Sequence, residues 1–276
     1  MSEGSCHRAY CARVADASRR TRLAAIWTSS WLVPMGGWVV IILLLARYVA
    51  AARFLIIRHG QTDHNAQGII QGSSDQSRLT PKGIAQAREA GATLAQLDDV
   101  RCTRLYVSPL TRAAQTLDVL QEEAVRAGAP LSPAVVVEDL REIDLHSWEG
   151  CTKTELQVDD PCNYRAWKCD PGAMVVDGHR PISDLWARAA HSVWPLVRLA
   201  SKSDPPDGMT FLVCHGSLGQ ALLCTAFGLS ESAWRKHSFP NLGAVELEWP
   251  ADAPQARRWR WRLPLEAAAQ GWQSQC

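Results

Sequence analysis

Two histidines, two arginines and one glutamate stand at points in this sequence from which they can act together on a phosphoryl group. Arg58-His59-Gly60 ends an apolar run, Arg112 closes Ser108-Pro-Leu-Thr-Arg112, Glu142 closes Leu140-Arg-Glu142, and His215 lies in Cys214-His-Gly-Ser217. Phosphoryl transfer needs an in-line nucleophile, positive charge around the equatorial oxygens, and a proton for the departing oxygen. An imidazole is largely unprotonated at neutral pH and can attack phosphorus directly, which suits His59. Arg58 and Arg112 offer planar, permanently charged forks that match pairs of phosphate oxygens. His215, placed before a helix, can donate to a third oxygen beside the helix N-terminus. Glu142 is the carboxylate of the set suited to protonating the leaving oxygen and later activating water, and a neighbouring phosphate dianion favours its protonated form. No metal-ligand set accompanies these residues, and the sequence calls for no cofactor. Any one of them alone has an ordinary structural reading; their order and shared context carry the functional one.

The elements that must position these groups are legible as alternating strands and helices from residue 53 onward. Phe54-Leu-Ile-Ile57 reads as a buried parallel strand. Thr80-Pro81 supplies an N-cap with proline at the first helical position, and Ile84, Ala87, Gly91 and Leu94 follow at helical spacing. Leu105–Val107, Val135–Val137 and Thr210–Cys214 read as further strands. Helices are expected over 111–127, closed by Gly128, over 183–200 with a bend at Pro195, and over 218–227. The stretch from Cys151 to Ser183 reads as an irregular segment that covers the crevice as a lid. The pattern predicts a three-layer α/β/α sandwich with a mostly parallel sheet, and ligands gather at the carboxyl ends of such strands. Near the end, Val245, Leu247 and Trp249 alternate with Glu246 and Glu248, while Trp259, Trp261 and Leu263 alternate with Arg258, Arg260 and Arg262. Two half-buried strands would set the acids of one beside the bases of the other. With that counter-charge present, the Arg/Trp run is not a nucleic-acid patch.

The chain has 276 residues, 47% of them hydrophobic and 21% charged, which suits one sizeable domain plus an extension. A net charge of +1 gives no electrostatic case for a nucleic-acid partner. The nine cysteines include no C-x-x-C pair, which favours free thiols in a reduced compartment. We divide the chain into residues 1–52, a catalytic domain over 53–263, and a tail over 264–276. From Leu23 to Ala46 no residue is charged, a length sufficient for a bilayer span. Arg8, Arg13, Arg19, Arg20 and Arg22 precede it, and Pro34, Gly36 and Gly37 interrupt it. Residues 1–52 therefore read as an organelle targeting segment or as a retained membrane anchor through 23–46. His64, His146 and His191 are expected at the polar surface or in local hydrogen bonds. The sequence is silent on oligomeric state.

Residues 53 to about 263 resemble the histidine phosphatase superfamily, also called phosphoglycerate-mutase-like. The run Arg58-His-Gly-Gln-Thr-Asp-His-Asn65, followed by Gln71-Gly72 and Leu79-Thr-Pro-Lys-Gly83, matches its motif almost throughout. The resemblance implies that His59 carries the phosphoryl group, that Arg58, Arg112 and His215 form the phosphate pocket, and that Glu142 donates the proton. It also implies that Asn65, Gln71 and Gly72 contact phosphate or substrate, a small phosphate ester. Ile70–Asp75, Leu140–Leu145 and Val176-Asp-Gly-His179 with Leu185-Trp-Ala-Arg188 look like the branch formed by plant 2-carboxy-D-arabinitol-1-phosphatases. That branch implies a sugar-acid phosphate substrate and a chloroplast location, with His179 and Arg180 as candidates for reading a carboxylate. Mutases of the superfamily follow the glutamate with Arg-His-Tyr-Gly, whereas Glu142 precedes Ile143-Asp-Leu-His146. This favours hydrolysis over a cofactor-dependent phosphoglycerate mutase. The complete set of His59, Arg112, Glu142 and His215 argues against a non-catalytic, membrane-tethered binding domain.

Overall fold

Alternation along the first strand decides the layering. In β1 (Ala52–Arg58), Phe54 and Ile56 enter one apolar core while Leu55 and Ile57 enter another, and all four are fully buried. A strand buried on both faces must be covered on both faces, so helices lie on either side of the sheet. The computed structural model describes residues 51–264 together with positions 267, 271 and 273. Among the described residues no helix is long and apolar enough to cross a membrane, and the apolar segment 23–46 lies outside them.

The remaining strands are β2 (Cys102–Val107), β3 (Ala134–Val136), β4 (Met209–Cys214), β5 (Ala244–Trp249) and β6 (Arg258–Leu263). Their order is β3-β2-β4-β1-β5-β6. The pairs β3–β2, β2–β4 and β4–β1 are parallel, while β1–β5 and β5–β6 are antiparallel. One layer holds α2 (Pro81–Ala95) and α3 (Thr111–Arg126), whose Ala87, Ala90, Leu94, Leu117 and Leu120 pack on the Leu55–Ile57 side. The short α1 (Asp63–Gln67) lies in the loop after β1. The opposite layer holds α6 (Pro181–Arg188), α7 (Trp194–Ser201) and α8 (Gly216–Ala226) on the Phe54–Ile56 side. The expected sandwich is present.

Local chemistry explains most boundaries. Thr80 caps α2 by accepting from the Gly83 N–H, with Pro81 at the first position. Gly128, at φ 73°, ends the α3 run as expected. Three expectations need correction. The segment 151–183 is not irregular: Thr152 and Asp160 cap α4 (Lys153–Asp159) and α5 (Pro161–Cys169), and α6 begins at Pro181 rather than Ser183. The disturbance expected at Pro195 lies one turn earlier, as a π-helical turn over Ala189–Val193 in which the Trp194 N–H donates to the Ala189 carbonyl. Proline has no N–H for the carbonyl four residues back and its ring crowds that carbonyl, which displaces the ladder upstream. Finally, α8 starts at Gly216, directly after His215.

The terminal ribbon pairs as its sequence pattern implied, with Glu246 opposite Arg260 and Glu248 opposite Arg258. Its acidic face is more deeply buried than half-buried strands would be. Glu246 is fully buried and accepts from Arg53 at 2.8 Å and Arg260 at 2.9 Å. Arg262 also reaches it, at 3.3 Å. Asp99 joins the cluster, and its hydrogen bond from Arg262 holds its carboxyl well below the usual carboxylate range.

Candidate active site

Three parallel strands end in line and deliver the chemistry to one edge. Arg58 of β1 lies opposite Cys214 of β4, so His59 and His215 each leave the sheet one residue beyond a matched pair. The His59 N–H donates to the Cys214 carbonyl at 3.0 Å, and the Ser108 N–H donates to the Val213 carbonyl at 3.0 Å. The two imidazoles consequently meet edge to face, with ring centroids 5.2 Å apart.

His59 is almost fully buried, and its Nδ1 lies 2.7 Å from the Gly60 carbonyl oxygen. A carbonyl oxygen only accepts, so Nδ1 carries the proton and Nε2 keeps its lone pair. Burial, and then the charges of Arg58 and Arg112, hold this imidazole well below its ordinary value. It therefore stays neutral and nucleophilic. Gly60 is positioned by Thr116, whose hydroxyl accepts from the Gly60 N–H at 3.0 Å and donates to the Arg112 carbonyl at 2.7 Å. A Cβ on Gly60 would sit 2.7 Å from the Gly83 carbonyl oxygen, and one on Gly83 would sit 2.1 Å from that of Gln61. The nucleophile loop thus rests directly on the first turn of α2, which is why glycine stands at both positions of the motif.

The two arginines are anchored through their terminal nitrogens. Arg58 donates from Nη1 to the Phe239 carbonyl at 2.6 Å. Arg112 donates to the carbonyls of Ser74 and Gly72, each at 2.7 Å. The Nε of each is buried with no partner among the described residues, leaving donors for an anion. His215 is fully buried, with Nε2 2.7 Å from the Ser108 hydroxyl. That hydroxyl also accepts from the Leu110 N–H at 3.3 Å. His215 Nδ1 is buried without a partner as well. Burial, then Arg112, His59 and Arg58, hold His215 well below its ordinary value.

Glu142 faces this group from the loop after β3. Its carboxylate accepts from the Ser217 and Leu218 N–H groups at the start of α8, both at 2.9 Å, and from its own neighbour Ile143 at 3.0 Å. The negative charge of Glu142 offsets part of the burial cost of Arg58 and Arg112. The arrangement has a buried imidazole with an open lone pair, unpaired cationic donors, and a carboxyl group beside them. Among the described residues no cluster of His, Cys, Asp or Glu is arranged to hold a metal ion.

The substrate-binding candidates divide. Gln71 is buried and accepts from the Ser77 hydroxyl at 2.6 Å. Gly72 adopts φ 53°, and a Cβ there would meet Glu149 Oε1 at 2.0 Å, so the turn that presents its carbonyl to Arg112 requires glycine. Asn65 accepts from Asn241 at 3.1 Å, and Asn241 also donates to the His59 carbonyl at 3.2 Å. His179 and Arg180 are exposed and bond to none of the cluster. Arg180 donates to the Gly172 carbonyl at 3.3 Å, and His179 stacks on His146 with centroids 4.2 Å apart.

Sequence reasoning missed three supporting residues. Ser108 was visible at a strand end but had no assigned role. Glu149 accepts from Ser73 N–H at 2.7 Å, Ser74 N–H at 2.9 Å and Leu145 N–H at 3.0 Å, bracing the loop that grips Arg112; no local signal distinguishes it. Arg188 donates to the carbonyls of Arg141 and Glu142, a contact across 46 residues that no spacing rule reveals.

Comparison with known proteins agrees with this geometry. The family model of the histidine phosphatase superfamily (branch 1) matches residues 54–262. A probable 2-carboxy-D-arabinitol-1-phosphatase of Arabidopsis thaliana is 36% identical over 197 residues, 71% of this chain and 38% of its own length. The 2-carboxy-D-arabinitol-1-phosphatase of Triticum aestivum is 34% identical over 199 residues, covering 72% of this chain and 37% of the wheat protein. The chain thus spans under two fifths of the length of these two relatives. The native structure of mycobacterial glucosyl-3-phosphoglycerate phosphatase superimposes with a TM-score of 0.62 at 31% identity, covering 77% of this chain and 97% of that one.

Proposed function

Since the chain belongs to the histidine phosphatase superfamily, we propose that it is a phosphoric monoester hydrolase acting on a small phosphorylated sugar or sugar acid, with 2-carboxy-D-arabinitol 1-phosphate as the particular substrate. The observation that carries the reading is the Nδ1 contact of His59 with Gly60, which leaves Nε2 its lone pair on a ring that feels the charges of Arg58 and Arg112 and lies 5.2 Å from that of His215. In the first step Nε2 of His59 forms a bond to phosphorus as the ester P–O bond breaks, and the departing oxygen takes a proton from Glu142. In the second step Glu142 takes a proton from water, whose oxygen displaces His59 and releases inorganic phosphate. Arg58, Arg112 and His215 hold the equatorial oxygens through both steps.

The finer substrate claim rests on the likeness to the plant enzymes and on His179, which abuts His146 in the same loop as Glu142. In this reading His179 and Arg180 meet a substrate carboxylate, and Asn65, Gln71 and Gly72 line the phosphate side. Residues 1–52 serve as a chloroplast targeting segment or an anchor; N-terminal sequencing of the mature protein separates the two. The test of function is a labelled phosphoenzyme. The label should survive alkali, be lost in acid, and be absent from His59→Ala. Label persisting in that variant removes the assignment. A panel of 2-carboxyarabinitol 1-phosphate, its analogue without the carboxylate, and 3-phosphoglycerate then ranks substrates. Efficient isomerisation of 3-phosphoglycerate with a bisphosphate primer would identify a mutase instead.

A further inference from the structure

The backbone of Glu142 is held from a distant helix. Arg188, the last residue of α6, donates from Nη2 to the Arg141 carbonyl at 3.0 Å and to the Glu142 carbonyl at 2.9 Å. Its Nε is buried with no partner, and among the described residues no carboxylate forms an ion pair with it. A guanidinium placed this way gives up water for two backbone carbonyls, a costly arrangement for a purely structural contact. Burial lowers its affinity for its proton, and the charge of Glu142 is the first influence that opposes this. The same cation is among those that keep His215 neutral.

The local backbone adds a separate observation. The π-helical turn over Ala189–Val193 begins at the residue after Arg188 and takes up one extra residue there. Downstream, Val193 and Val197 remain fully buried in the core, while Arg188 is left facing the Glu142 loop. A proton donor needs this kind of support, because a misplacement of about 1 Å relative to the leaving oxygen can cost on the order of 100-fold in rate.

We propose that Arg188 is a positioning residue for the Glu142 proton donor, fixing the Glu142 peptide through its two carbonyl bonds so that the carboxyl group meets the leaving oxygen. The proposal rests on the phosphatase reading given above. Its consequence is selective. An ester with a poor leaving group needs the proton as its P–O bond breaks, whereas an activated aryl phosphate does not. Arg188→Met should lower kcat/KM for an alkyl phosphate by roughly 30- to 100-fold and for the aryl phosphate by no more than about 5-fold, with KM little changed. Glu142→Gln should show the same selectivity, and the double variant should be no worse than Glu142→Gln alone within about threefold, since both changes act on one step.

Arg188→Gln provides the same comparison should the methionine variant fail to fold, because it keeps a polar side chain in place of the buried charge while its shorter reach still releases the two carbonyls. Equal losses on the two esters, or additive losses in the double variant, would show that Arg188 is a structural staple and overturn the proposal. If Glu142→Gln lacks selectivity, the donor assignment and the Arg188 proposal fall together. Labelling of His59 then still decides independently whether the chain works through a phosphohistidine.

Discussion

Nδ1 of His59 and the carbonyl oxygen of Gly60 stand 2.7 Å apart, a bond between chain neighbours that fixes which face of the imidazole is open. Because the bond is local, the tautomer is set as soon as the loop after β1 adopts its shape. Because the ring is buried, and Arg58 and Arg112 lie close by, it also resists protonation.

This combination predicts the acid limb of the rate profile. His59 is held well below 6.5, so the limb of kcat/KM should fall below the usual imidazole range. Stability follows the linked sign. Below a pH of about 6.5 the unfolded chain binds protons at His59 and His215 that the folded chain refuses, so stability drops as pH falls from there. Urea melts at several pH values and a kcat/KM profile check both. A rate limb at or above the free imidazole value would contradict the electrostatics.

Ser108 should matter through His215. Ser108→Ala removes the group 2.7 Å from His215 Nε2 and leaves that buried nitrogen unpaired. A loss of about 1–2 kcal/mol is expected, read as a roughly 10-fold fall in kcat/KM. Unchanged kinetics would mean that His215 is oriented without it.

Glu149 should govern phosphate affinity without touching phosphate. Its carboxylate braces Ser73 and Ser74, next to the Gly72 and Ser74 carbonyls that hold Arg112. Glu149→Gln replaces one of its acceptor oxygens with a donor and should weaken inhibition by inorganic phosphate by about 10-fold, within the range for a charge-assisted bond. An unaltered inhibition constant would place the brace elsewhere.

Glu246 should be a stability residue with no kinetic signature. It is fully buried among Arg53, Arg260 and Arg262. Glu246→Ala leaves those charges without their central partner and should cost about 3–5 kcal/mol in urea unfolding, with kcat/KM of the folded protein unchanged. A loss under about 1 kcal/mol would mean that Asp99 compensates.

The phosphate-binding core was legible because each member sits next to an apolar strand run, and strand ends are the most readable points in an α/β chain. His59, Arg112 and His215 were found that way. Glu142 was also placed by a strand end, that of Val135–Val137, although this is a short edge strand whose Val135 and Val136 are exposed rather than a buried run. The helices of 151–169 were missed because their caps, Thr152 and Asp160, begin helices of seven and nine residues, too short to show a periodic face. Arg188 and Glu149 act through long-range bonds to backbone atoms, which leave no trace in spacing.

The pairing of Arg58 with Cys214 has one more consequence. The two imidazoles come from segments 156 positions apart, and only the alignment of neighbouring strands brings them together. Sliding one strand by a single residue would send each of Phe54, Leu55, Ile56 and Ile57 into the opposite core and carry His59 out of register with His215. Turnover therefore works as a gauge of alignment. A refolded sample can recover its helix content and its compactness, but any molecule with this slip is inert, so specific activity counts the fraction of chains whose central strands are correctly matched.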